Sequence, residues 1–195
     1  MSTTAANHHP KANDKVVFGL WTFILSDCIL FATLFVCYAV LHTHTYGNIG
    51  IKSVATLPYV LVTSLFLLST SLTYSFSSYS FEKRNKGMVW FWLLVTFILG
   101  LVFVGFEYHE FAYLLHHGAS WKDSAFLSSF FALVGIHWFH VIGALIWLVV
   151  LLVQFLFQPL NDMMRTRLTC VGLFIHFLNM IWIFIFTLVY LMGAL

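Results

Sequence analysis

Charge is what this 195-residue sequence has least of. Only 8% of its residues are Asp, Glu, Lys or Arg, against about a quarter in an ordinary soluble domain. With 61% hydrophobic residues, too little polar surface remains to cover a globule in water, which excludes a soluble enzyme or binding domain. The few basic residues form no cluster interleaved with aromatics, so nucleic acid is not expected as a partner. Cysteine is also scarce. Cys28, Cys37 and Cys170 form no CxxC pair and sit in apolar segments, so neither a zinc site nor a disulfide framework is indicated. There is no phosphate-binding glycine loop, no nucleophile elbow and no evident internal repeat.

Long apolar runs are what the sequence does have. They extend roughly over Val16–Leu41, Leu57–Phe81, Met88–Leu115, Ser124–Phe157 and Leu168–Leu195. Each exceeds the ~20 residues that a helix needs to cross ~30 Å of hydrocarbon. Spanning strands would be ~10 residues long and would alternate in polarity, which none of these runs does. The expectation is an all-α protein, one integral membrane bundle of five transmembrane helices over residues 16–195. Residues 1–15 are expected to form a disordered cytoplasmic tail and not a signal peptide, because the run that follows is too long and no small-residue cleavage site appears.

Punctuation agrees. Pro58 stands where a first helical turn tolerates it, and Pro159 is expected to stop the fourth run. The segments "HTHTYGNIGIKSVAT", "EKRNKG", "HHGASWKD" and "QPLNDMMRTR" read as polar loops. Lys11, Lys15, Lys83, Arg84, Lys86, Arg165 and Arg167 fall on one side of the membrane, and only Lys52 and Lys122 on the other. The positive-inside rule then predicts a cytoplasmic N-terminus and a periplasmic C-terminus.

Within the five runs there is no Lys or Arg, but there are three acids. Asp27 is eleven residues past Val16, ~16 Å into the membrane. Insertion scales charge ~2.5–3.5 kcal/mol for a central Asp, and the apolar residues of the run offset it at ~0.3–0.6 each, so the helix inserts regardless. Protonating an ordinary Asp at neutral pH costs about 4 kcal/mol, a comparable figure, so both charge states stay open. Either way Asp27 should face a partner helix or a cavity rather than lipid. Three readings compete for it: a hydrogen-bonded strut between helices, a step in a proton pathway, and a contact with another subunit or a lipid headgroup.

By depth, Asp27, His137, His140, His176 and Asn179 are expected to meet near the midplane. In "GIHWFH", His137 and His140 are spaced i, i+3 and share a helix face. That spacing suits a metal or haem ligand pair, with His176 as the deep candidate on a facing helix. Ordinary hydrogen bonding among helices is the competing and blander reading. In "FEYHEF", Glu107 and Glu110 also share a face near a membrane interface, where solvated carboxylates are the default. The Ser/Thr-rich segment "SLFLLSTSLTYSFSSYSF" is expected to let helices approach and bond across an interface, as are Gly135, Gly143 and Ala144.

Four separated stretches carry a resemblance. "WTFILSDCILFATLF", "FEYHEF", "SSFFALVGIHWFHVIGALIW" and "FIHFLNMIWIFIFTLVYLMG" look like subunit III of the haem–copper respiratory oxidases, in that family's order, from Phe18 to the C-terminus. Length and helix count resemble the bacterial quinol-oxidising branch. The resemblance implies a non-catalytic subunit III of a proton-pumping terminal ubiquinol oxidase in a bacterial inner membrane. Such a subunit holds no haem, copper or other cofactor. Two haems, copper and ubiquinone would belong to subunit I. Partners implied are subunit I as the main contact, subunits II and IV, and membrane phospholipids. The implied role is to support assembly, bind lipid and protect the catalytic subunit during turnover. The family carries an acidic residue at the place of Asp27. It usually carries Asp where this chain has Asn179, so that position is neutral here. A stand-alone haem- or metal-binding membrane enzyme and a small-solute transporter are the alternatives. The lack of repeats weakens the transporter reading.

Overall fold

A computed structural model describes residues 10–41, 57–116, 125–158 and 160–191. Pro159, Lys52, Lys122 and the last four residues lie outside them. The described chain forms five helices long and apolar enough to cross a membrane. They are α1 (Pro10–Leu41), α2 (Leu57–Glu82), α3 (Lys86–His116), α4 (Ala125–Phe157) and α5 (Asp162–Ile185), the last continuing as a π-helix over Phe186–Leu191. α1 begins within the segment expected to be a tail. Pro10 is tolerated there because a first helical residue needs no intrahelical N–H partner.

The α2–α3 connection shows why "EKRNKG" turns so tightly. The N–H of Asn85 bonds to the Ser80 carbonyl at 3.2 Å, and that of Arg84 to the Phe81 carbonyl at 2.9 Å. This is the double bond pattern of a Schellman C-cap, and Arg84 takes the left-handed conformation it requires, at φ 54°. Asn85 then starts α3, its Oδ1 accepting from the Met88 N–H at 3.4 Å. The α4–α5 connection lies at the same end of the bundle. There Arg167 donates to Gln154 Oε1 at 2.8 Å, and Arg165 lies 3.6 Å from Glu82 across the two connections.

α2 and α3 pack most extensively. α4 lies against α5, α3 and α1, and α5 also meets α2 and α1. The hydroxylic stripe of α2 is the seam. Thr63, Ser64, Thr70, Thr73, Ser77 and Ser80 are all buried, and their spacing is that of one helix face. Thr73 and Thr96 join α2 to α3 at 2.8 Å, and Trp182 Nε1 donates to Ser64 Oγ at 2.9 Å from α5. The hydroxyl of Tyr74 donates to the Leu168 carbonyl.

The glycines that allow close approach are not the ones expected. Nothing lies within 4 Å of where a Cβ would stand on Gly135 or Gly143. A Cβ on Gly172 would instead come to 2.6 Å from the Tyr74 ring, and one on Gly100 to 2.5 Å from Leu145. Ala144 is buried, as expected. The outer surface is apolar on every helix. On α1 alone Phe18, Leu25, Ile29, Val36 and Val40 are all more than half exposed, which in water would be a large unprotected patch.

Candidate functional site

The buried polar residues do not form one midplane cluster. They divide into three sets. The first joins α1 to α4. Asp27 is 6% exposed, and its Oδ2 lies 3.6 Å from His140 Nε2, beyond direct hydrogen-bond distance but within ion-pair reach. The other ring nitrogen of His140, Nδ1, is 2.8 Å from the Ile136 carbonyl oxygen. A carbonyl can only accept, so Nδ1 carries hydrogen. A neutral ring beside an ionised carboxyl would then set a lone pair against an anion. The two arrangements that avoid this are an acid beside neutral imidazole and a carboxylate beside imidazolium. Both contain the same number of protons, and both leave the pair without net charge. That is the form in which two ionisable groups cost least inside a membrane. Phe31 covers the pair, its ring 5.3 Å from that of His140.

The second set surrounds His137, which is fully buried. Its Nε2 is 3.2 Å from the Leu178 carbonyl on α5 and therefore donates. Its ring lies 5.1 Å from Trp182 and 6.2 Å from Phe103. Asn179 turns the other way, toward α2, where Nδ2 donates to Thr70 Oγ1 at 3.4 Å. His176 is exposed on the outer face of α5, and its Nδ1 pairs with the Ser71 hydroxyl. The expected convergence of His176 and Asn179 on the α4 histidines therefore fails. Both meet α2 instead, His176 at Ser71 on the outer face and Asn179 at the buried Thr70.

The third set lies at the end of the bundle remote from the basic turns. Glu107 and Glu110 are 1% and 6% exposed, so the solvated pair expected there is corrected to a buried one. α3 continues past them to His116, and the π-helical end of α5 brings Tyr190 over them. A π-helical turn holds more residues than an α-turn and so re-phases the side chains that follow. Tyr190 donates to Glu110 Oε1 at 3.2 Å. Tyr59 of α2 donates to the Phe106 carbonyl at 3.0 Å.

Ser64 opens the hydroxylic segment expected to bond across an interface, whereas Trp182, Tyr190 and Tyr59 are not singled out by the sequence. One signal points to Trp182. Trp182 stands one turn after Asn179 on α5, and the α2 stripe offered hydroxyls at helical spacing for an indole N–H to meet.

The three candidate histidines do not converge on one position. The ring nitrogens of His140 face a carbonyl and a carboxyl, His137 donates Nε2 to a backbone carbonyl while its Nδ1 is buried without a partner, and His176 faces outward. The cavity among α2, α3, α4 and α5, lined by Thr70, Thr96, Gly100 and Asn179 among others, is about 30 Å³, on the scale of single water molecules. Among the described residues, no three His, Cys, Asp or Glu side chains converge as metal ligands would.

If the Asp27–His140 contact is a strut, Asp27→Asn should behave almost like the parent, since an amide can donate to a neutral ring nitrogen. Asp27→Leu removes the partner and should destabilise the bundle by ~1 kcal/mol, the scale of polar contacts between membrane helices. Thermal unfolding of the purified protein in mild detergent measures both. Normal assembly of both variants with an equal, complete loss of proton uptake would favour the proton-pathway role instead.

Five apolar spanning helices with polar groups turned inward define a polytopic membrane protein that packs sideways against lipid or other membrane chains. The chain belongs to the cytochrome c oxidase subunit III family, whose pattern matches residues 1–194. It is 46% identical over 189 residues to the cytochrome bo(3) ubiquinol oxidase subunit 3 of Pseudomonas aeruginosa, covering 97% of this chain and 90% of that one. The subunit of the same name from Pseudomonas putida is 40% identical, covering 94% of this chain and 89% of the relative. The one from Buchnera aphidicola subsp. Schizaphis graminum is 39% identical, covering 94% and 96%.

Proposed function

We propose that this chain is the non-catalytic subunit III of a proton-pumping ubiquinol oxidase in a bacterial inner membrane. The observation that carries the reading is the near end-to-end match, at 46% identity, to a protein named ubiquinol oxidase subunit 3. In this reading subunit I carries the haems, the copper and the ubiquinone, and is the main neighbour. Subunits II and IV and membrane phospholipids complete the surroundings. The arrangement of the interior supports the reading. His137 and His140 each bond a backbone carbonyl of the same chain, while the apolar exterior offers lateral surface for a neighbour. The chain would work as a supporting wall: it covers apolar surface of the catalytic subunit, holds lipid between helices and maintains assembly.

The test is to purify the tagged chain in mild detergent and identify what accompanies it. A haem-bearing subunit and phospholipid are expected by mass spectrometry, and the chain expressed alone should show no Soret band. A stoichiometric Soret band that disappears in His137→Ala or His176→Ala would overturn the assignment.

The orientation belongs to the same proposal. Lys83, Arg84, Lys86, Arg165 and Arg167 all lie at the end of the bundle formed by the α2–α3 and α4–α5 turns, a distribution that supports a cytoplasmic position for that end and the N-terminus. An enzymatic reporter fused after Leu195 should be active only on the periplasmic side, and cytoplasmic activity would reverse the topology.

A further inference from the structure

Glu107 and Glu110 occupy core positions of α3. They share one helix face with the buried Phe103 and Leu114, while Tyr108 between them is 64% exposed. Three of their four carboxyl oxygens, both of Glu107 and Oε2 of Glu110, are buried without a hydrogen-bond partner. The fourth accepts from Tyr190.

The groups around them come from every other helix. Tyr190 of α5 and Tyr59 of α2 lie within electrostatic reach of both carboxyls, and Tyr38 of α1 lies within reach of Tyr190. α4 contributes apolar rings, with Phe126 against Tyr38 and Phe130 against Tyr190. His109 is exposed on α3, its ring 6.5 Å from that of Tyr59. Among the described residues no Lys, Arg or His forms an ion pair with either carboxyl.

Two carboxylates one turn apart, buried and without a counter-ion among the described residues, are not both stable as anions. Each would lose its hydration, and the two would repel at low dielectric. Among the described residues the donor that reaches them is the Tyr190 phenol, which brings no positive charge. Within the described chain, the way left to neutralise the pair is to bind protons.

We infer that Glu107 and Glu110 form an internal proton-binding site at the end of the bundle remote from the basic turns. The first proton resides on Glu107, which then has a hydroxyl to donate. The acceptor of matching chemistry is the unpartnered Oε2 of Glu110, on the same face one turn on. Tyr190 satisfies the other oxygen of Glu110. A second proton on Glu110 makes the pair neutral. The site is a property of these buried carboxyls and is the same whichever oxidase the chain serves.

The chain makes the test simple, because it contains only three glutamates: Glu82, Glu107 and Glu110. The full-length chain, carrying ¹³C only at glutamate Cδ, is placed in phospholipid nanodiscs and its carboxyl carbons are observed by NMR at neutral pH. The side chain of Glu82 is 66% exposed and provides a carboxylate reference in the same spectrum. At least one of the other two signals is expected at the position of a carboxylic acid, well displaced from that of Glu82. Glu107→Gln should remove that signal, and the variant should fold as the parent does, since an amide has the shape of a protonated acid. If Glu107→Gln fails to fold, Glu82→Gln at the surface removes the reference signal and leaves the two buried carboxyls identified as a set. All three signals at the carboxylate position would overturn the inference.

Discussion

Trp182→Ala is expected to be the most damaging single truncation in the bundle, at about 3–5 kcal/mol, the range for removing a large buried aromatic. The residue is fully buried at the point where α5 meets α2, α3 and α4. Its ring stands edge-on to Phe103 at 4.9 Å, lies 5.1 Å from His137 and 6.4 Å from Tyr190. Its Nε1 donates to Ser64 on α2. Lipid is as apolar as the protein interior, so little of the loss comes from hydrophobic transfer. It comes from a cavity that four rigid helices cannot close and from dispersion contacts that lipid tails cannot replace from outside. All five helices should still insert, because insertion depends on hydropathy and not on packing. Trp182→Phe separates the two contributions. It keeps a six-membered ring in the pocket but loses the indole N–H and part of the ring volume, and should cost less than alanine but more than the ~0.6 kcal/mol of an average hydrogen bond between membrane helices. Unfolding in mixed micelles measures both. A cost below 1 kcal/mol for the alanine variant would mean that the junction is not packed as described.

The sequence made the spans legible because crossing a bilayer demands a long apolar run, and a run is a one-dimensional property. The inward faces were harder. These helices are apolar all round, so hydropathy does not distinguish a side facing lipid from a side facing another helix. Only polar or small residues mark the inner face, and they did so unevenly. The α2 hydroxyls marked it correctly, and Asp27 was correctly expected to avoid lipid. Glycine misled at Gly135 and Gly143, because a glycine reports close approach only where another helix is present, as at Gly100 and Gly172. His176 misled for a related reason. Depth along an axis can be counted from sequence, but azimuth around the bundle depends on which neighbours are present. Glu107 and Glu110 were read as solvated from their nearness to the end of the run. The π-helical end of α5 sets Tyr190 against Glu110, a contact that sequence pattern does not announce.

The largest effect on the assembly, under the proposed function, is expected from removing the chain altogether. The remaining oxidase should keep its haem content and its initial rate of quinol oxidation. In the proposed reading the haems and copper belong to subunit I, and His137 and His140 are each held by a backbone carbonyl of this chain. Stability is another matter. The α1 face alone presents Phe18, Leu25, Ile29, Val36 and Val40, an apolar surface suited to a dry contact with another membrane chain. Removing the chain replaces that contact by mobile lipid, which packs less closely against side chains. The exposed part of the catalytic subunit should then unfold at lower temperature, lose co-purifying phospholipid and stop working after fewer turnovers. The measurement is to delete the chain, purify what remains, and follow haem spectra, lipid content and oxygen consumption over many turnovers. Immediate loss of a haem with the other subunits still assembled would show that this chain supplies a ligand. An oxidase unchanged in assembly, lipid content and lifetime would leave the supporting role without content. If the supporting role holds, restoring the chain with Trp182→Ala should give an intermediate lifetime, because the wall would be present but loosely built.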